Sequence, residues 1–72
     1  MERWDINRLA YGITANAKRV QKIQKCNTHS ERIDLAMRYA VACAKDEKIR
    51  ATENDIVAVA SAAILADRKS VV

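Results

Sequence analysis

The chain has 72 residues, half of them hydrophobic, and a formal net charge of +4. That length excludes a multidomain protein or a large enzyme, and no apolar run approaches the ~18 residues of a membrane span. One Gly, no Pro and ample apolar content exclude collagen-like and disordered classes, but alanine supplies 13 of the apolar residues, so the core is thin.

The first predicted element is a helix near residues 5–26. Ile6, Leu9, Ala10, Ile13, Ala17, Val20 and Ile23 recur at the spacing of one helix face. Asn16 falls inside this stripe, and Gly12 marks either a close helix crossing or a tolerated weak point. Trp4 and Tyr11 stand seven apart on one flank, where they suit packing anchors or interface residues better than a stacking platform. The charge of the chain also sits here. Residues 1–30 carry six basic and two acidic groups, and no acid occurs between Asp5 and Glu31, whereas residues 31–72 carry seven of each sign. Lys18, Lys22 and Lys25 share one side of the helix, with Arg19 adjacent and Gln21 and Gln24 interleaved. Aligned cations suit phosphate, and glutamines can hydrogen-bond phosphate or base edges. The candidate nucleic-acid-binding residues are therefore Lys18, Arg19, Gln21, Lys22 and Lys25. A solvated charged face or an acidic protein surface as partner are the competing explanations.

A second helix is predicted near 29–45. Thr28 followed by Glu31 has the form of a capping box, and Ile33, Ala36, Met37, Ala40, Val41 and Ala44 line one face. Ala36, Ala40 and Ala44 make a ridge of small residues over which another helix can pass closely. A third helix is predicted near 53–68, opened by Thr52 and Asp55 and flanked by Ala51 and Ile56 at staple spacing. From Ile56 to Ala66 only Ser61 is polar, so the helix should be buried on more than one side. Arg68 and Lys69 fall in its last turn, where cations suit the dipole.

The expected fold is thus a single all-α domain of three helices. A thin core with an apolar third helix predicts a homo-oligomer, most simply a dimer through the Ala-rich second helix and third-helix residues Ile56, Val59, Ala60, Ala63 and Ile64. Two cysteines are too few for a disulfide framework, and the start lacks a cationic stretch leading into an apolar run, so the expectation is a reduced, cytoplasmic protein.

The catalytic inventory is poor. There is one His, and Cys26, His29 and Cys43 would make at best an incomplete zinc set, so neither a metal nor a cofactor is expected. A Cys26–His29 nucleophile pair would lack an orienting group and an oxyanion site. A helix-turn-helix would need a short turn into a polar recognition helix, and here the third helix is apolar. Membrane-surface binding by the basic first helix would need its apolar residues twice, for lipid and for core.

Lys48-Ile49-Arg50-Ala51-Thr52-Glu53-Asn54-Asp55-Ile56 and the following Val57-Ala58-Val59-Ala60 resemble the last loop and final helix of archaeal histones. The likeness covers under half the chain, and the predicted central helix is shorter, and the first longer, than that pattern. What the resemblance implies is a small basic dimer on DNA. The expected function is a non-enzymatic, regulatory or architectural protein that holds the nucleic-acid backbone through its first helix. The alternative is a protein–protein module, a small inhibitor, adaptor or subunit of the phage or mobile-element type, docking on a larger partner.

Overall fold

A computed structural model describes the backbone of residues 3–70 and the side chains of residues 3–66. Arg68 and Lys69, and with them the expected cationic last turn, lie outside the described side chains. Four helices follow one another: α1 (Arg3–Thr14), α2 (Ala17–Gln24), α3 (His29–Asp46) and α4 (Glu53–Ser70). No strand occurs among the described residues.

The helix expected over 5–26 is two helices, and the cause is local. Thr14 turns its hydroxyl back onto the carbonyl of Ala10 at 3.2 Å and that of Tyr11 at 3.4 Å. Side chains of this type compete with the helical ladder. Asn16 then leaves helical geometry (φ −97°, ψ 106°), and its side-chain oxygen accepts from the backbone N–H of Lys18 and Arg19. It is the N-cap of a new helix rather than a polar residue within an old one.

The next two starts match their expected signals. At α3, Thr28 Oγ1 accepts from the N–H of Glu31 at 3.2 Å. The Glu31 carboxylate takes the N–H of Asn27, one residue before the cap, at 3.1 Å. At α4 the exchange is reciprocal: Asp55 N–H donates to Thr52 Oγ1 at 3.2 Å and Thr52 N–H to Asp55 Oδ2 at 3.0 Å. Ala51 and Ile56 both pack into the core around that start, as a hydrophobic staple does.

The end of α3 has no sequence signal of the usual kind. Lys48 adopts φ +56°, the Ile49 N–H reaches the Ala44 carbonyl at 2.9 Å, and the Lys48 N–H reaches that of Lys45 at 3.1 Å. This is a Schellman ending with lysine where glycine is the usual residue.

Packing follows from the buried stripes. α4 lies against both α3 and α1, and α1 also meets α3, while α2 packs on α1 and α3. The core holds Leu9, Ala10 and Ile13 of α1, Ala36, Ala40, Cys43 and Ala44 of α3, and Ile56, Val59, Ala60, Ala63 and Ile64 of α4, with Ile23 from α2. Among the described residues, the large side chains buried to below 2% exposure are Leu9, Ile13 and Val59. The alanine ridge of α3 is wholly inside, which is what brings α4 close. Gly12 plays the same part on α1: a Cβ there would stand 3.3 Å from Cys43 Sγ, tighter than ordinary contact. The radius of gyration, 11.1 Å, matches the ~11 Å expected of a compact chain of this length.

The five residues expected to form a dimer interface are therefore part of this chain's own core, none more than 8% exposed. The α4 stripe is covered within the chain by α1 and α3 together, and the separate α2 takes little part in covering it. Among the described residues, the large apolar side chains that α4 leaves to solvent are Val57 at 41% and Leu65 at 59%.

Candidate nucleic-acid interface

α2 is eight residues long and is bounded by Asn16 and Lys25. Its inner side is set by Ile23, which is 5% exposed, with Val20 and Cys26 half-buried on either side. At about 100° per residue, Lys18, Gln21 and Lys25 point within about 40° of the opposite direction. All three are exposed, and Lys22 is exposed on the flank. The lysine spacing read from the sequence thus corresponds to a real outward face. Among the described residues the only salt bridge joins Arg8 to Glu47 at 2.9 Å, so these three lysines carry no ion pair there.

Arg19 is placed differently from its neighbours. It lies on the inner side of α2, about 40° from Ile23, and is half-buried. Its Nη1 donates to Cys43 Sγ at 3.0 Å and to the Gly12 carbonyl at 3.4 Å. The guanidinium carbon stands 5.2 Å from the centre of the Tyr39 ring, within cation–π range. Arg19 therefore ties α2 to α1 and α3. Of the expected phosphate-binding set, the structure brings Lys18, Gln21, Lys22 and Lys25 together and turns Arg19 away from them.

The electrostatics of α2 are unbalanced at one end. Its first turn contains no acid but holds Lys18 and Arg19, at the end where the helix dipole is already positive. Cations there cost a few tenths of a kcal/mol of helix stability and raise the positive potential over that end. Lys22 and Lys25, at the other end, suit the dipole.

A cleft of about 190 Å³ runs beside this region, lined by Arg8, Leu9, Gly12, Arg19, Cys43, Asp46 and Glu47. Arg8 pairs with Glu47 in it, and Arg19 donates to Cys43, a buried free thiol that also lines it. Cys26 is a free thiol on the α2–α3 junction, its Sγ 3.4 Å from the Lys22 carbonyl. His29 is exposed and borders a groove of about 170 Å³ with Ile33, Ser61, Ile64 and Leu65. No group of three or more His, Cys, Asp or Glu is placed to hold a metal among the described residues. Among them, too, no helix is long and apolar enough to cross a membrane.

Two features escaped sequence reasoning. Arg19 meets Tyr39 and Cys43 of α3; its spacing of four from Ile23 was the available signal for an inward position, and no local signal announces partners so far along the chain. Trp4 and Tyr11 are exposed at 60% and 71%, so they are not packing anchors within this chain, and the alternative expectation of interface residues is untouched. A helical wheel drawn around Ile6 and Ile13 would have put both on the solvent side. No protein-family model, curated protein or solved structure matches the chain, and the histone-like stretch Lys48–Ala60 brings no family with it.

Proposed function

We propose that this is a non-enzymatic, small basic helical protein whose α2 face of Lys18, Gln21, Lys22 and Lys25 holds the phosphate backbone of a nucleic acid, in a regulatory or architectural role. The observation that carries this is the outward, acid-free placement of the three lysines on one short helix, none of them used in an ion pair among the described residues. Support also comes from the unfavourable pairing of Lys18 with the positive end of α2, a local cost that ordinary solvation would not require. One His and two Cys leave little for catalysis. Affinity should fall with salt through counterion release, with a log–log slope near −3 for three lysines on duplex DNA. A fluorescence-anisotropy titration against duplex DNA at several salt concentrations measures it. No binding at low salt, or binding unaffected when Lys18, Lys22 and Lys25 are all replaced by Ala, defeats the proposal.

The second reading is a protein–protein module, a partner or a second copy docking where Leu65 overhangs the α3–α4 groove beside Ile33 and Ile64. A dimer formed this way would use Val57 and Leu65 rather than the buried stripe of α4. Static light scattering over a concentration series, with Leu65→Glu as control, separates it from the first.

A further inference from the structure

We propose that Ala15 and Asn16, between α1 and α2, are a hinge, and that straightening it lets two copies of this chain exchange α1, each α1 completing the other copy's core. The exchange does not depend on what the lysines of α2 bind.

The break between the two helices is confined to a few bonds. The helical ladder runs through Ala15, whose N–H reaches the Tyr11 carbonyl at 2.8 Å. It resumes at Val20, whose N–H reaches the Asn16 carbonyl at 3.0 Å. Between them Asn16 is extended, with ψ 106°, and its side-chain oxygen takes the N–H groups of Lys18 and Arg19. Turning that one ψ toward the helical value of about −42° joins the helices. The cap bonds then give way to i→i−4 bonds from Ala17, Lys18 and Arg19 to the carbonyls of Ile13, Thr14 and Ala15. The segment is otherwise built as one helix. Ile6, Leu9, Ile13, Val20 and Ile23 hold one face across the break, and neither Pro nor Gly lies between Ile13 and Gln24.

In the closed chain α1 and α2 pack on each other and both pack on α3, a bent arrangement that a straight helix cannot keep. α2 stays on its own α3 through Arg19, which meets Cys43 and Tyr39. α1 then leaves, and the site it vacates fits another α1. Leu9 and Ile13 are 1% and 0% exposed in the core shared with α3 and α4. Gly12 passes Cys43 where a Cβ would stand 3.3 Å from the Sγ. A second copy carries these residues in the same register. The exchanged pair re-forms between chains the contacts that α1 makes with α3 and α4 within one. It differs from the closed monomer mainly at the hinge, which is why exchange of an identical element is a low-cost route to a dimer.

Two hinge substitutions should move the equilibrium in opposite directions. Asn16→Ala removes the cap and favours helix, and should tighten the dimer about a hundredfold, about tenfold from each of two hinges. Ala17→Pro suits the first residue of α2, which follows an extended Asn16, but breaks a continuous helix. It should abolish the dimer and leave the monomer's helical circular dichroism unchanged. The full native chain and both variants are held at mid-transition in urea, so that α1 can exchange, then returned to buffer and sized by light scattering over a concentration series. The native chain should give a monomer and a dimer fraction that rises with concentration. Gly12→Cys, combined with Cys26→Ser, sets a second thiol against Cys43 and so marks whose α1 covers it. Mild oxidation should cross-link the dimer peak between chains and the monomer peak within one chain. A dimer peak that cross-links only within chains is a surface dimer, such as one through Leu65, and overturns the exchange. Asn16→Ala that folds and stays monomeric throughout overturns it too, as does Ala17→Pro that dimerises as tightly as the native chain. Should Asn16→Ala not fold, the native chain against Ala17→Pro carries the same comparison.

Discussion

The guanidinium of Arg19 meets a thiol, a carbonyl and an aromatic ring at once, and its neighbour Lys18 meets water. Arginine suits the first role because its planar head can donate in one direction while lying over a ring, which a lysine ammonium cannot reproduce. Replacing Arg19 by Ala removes the cation–π contact and two donated bonds and bares part of the inner side of α2. The expected cost is about 1–2 kcal/mol, read as a fall in the urea midpoint. The salt slope of nucleic-acid binding should hardly change. Lys25→Ala should do the reverse, lowering that slope by about one with little effect on the urea midpoint. If Arg19→Ala lowers the slope as much as Lys25→Ala does, Arg19 belongs with the lysines after all. The three lysines were legible in the sequence because spacing alone decides which way they point relative to Ile23. The inward direction of Arg19, four residues before Ile23, was open to the same reading; its partners were not, since Tyr39 and Cys43 come from another helix.

Helix starts and stops show where local chemistry is readable and where it is not. α3 and α4 stand close to their expected bounds because Thr28 and Thr52 begin runs of unbroken 3.6-residue periodicity. The break between α1 and α2 was hidden because Ile6, Ile13 and Val20 keep a seven-residue spacing straight across it. Asn16 was the available signal, but its third-following residue is Arg19 rather than an acid, so no capping box drew attention to it. Lys48 was hidden for the opposite reason, since nothing in a lysine announces a left-handed residue. That conformation costs a non-glycine residue about 1 kcal/mol, so Lys48→Gly is expected to stabilise the chain by about 0.5–1 kcal/mol in urea denaturation. Lys48→Ala, which keeps the Cβ, should give no such gain. At the start of α4, the backbone N–H of Thr52 foremost, and then its side chain, hold the Asp55 carboxyl below its ordinary value of 3.8. The folded state therefore favours the carboxylate. Its contribution is complete above about pH 4 and is lost as pH falls through the lowered folded value. Urea midpoints taken down the acid limb should show this loss in the native chain and not in Asp55→Asn. Equal acid sensitivity of the two would show that the cap adds nothing to the pH dependence.

At the scale of the whole molecule, the core and the candidate site are carried by different parts. α1, α3 and α4 enclose Leu9, Ile13 and Val59, whereas α2 contributes one buried residue, Ile23. An eight-residue helix is too short to persist on its own in water, so α2 exists because Ile23 and Arg19 dock it. Its opening free energy should then lie below that of the bundle, as is common for elements that bind ligands. Such a helix can shift to follow a phosphate backbone without disturbing the core. Native-state hydrogen exchange tests this: amides of α2 should exchange through a local opening, while those of α3 and α4 wait for global unfolding. Truncation separates the two further. Ile13→Ala removes a fully buried side chain from a domain of marginal stability and should cost about 2–4 kcal/mol, lowering protection in every helix. Ile23→Ala should lower protection in α2 while α3 and α4 keep most of theirs, and should weaken nucleic-acid binding because the lysines lose their platform. Uniform loss of protection in Ile23→Ala would mean that α2 unfolds only with the rest, and the basic face would then be as rigid as the core beneath it.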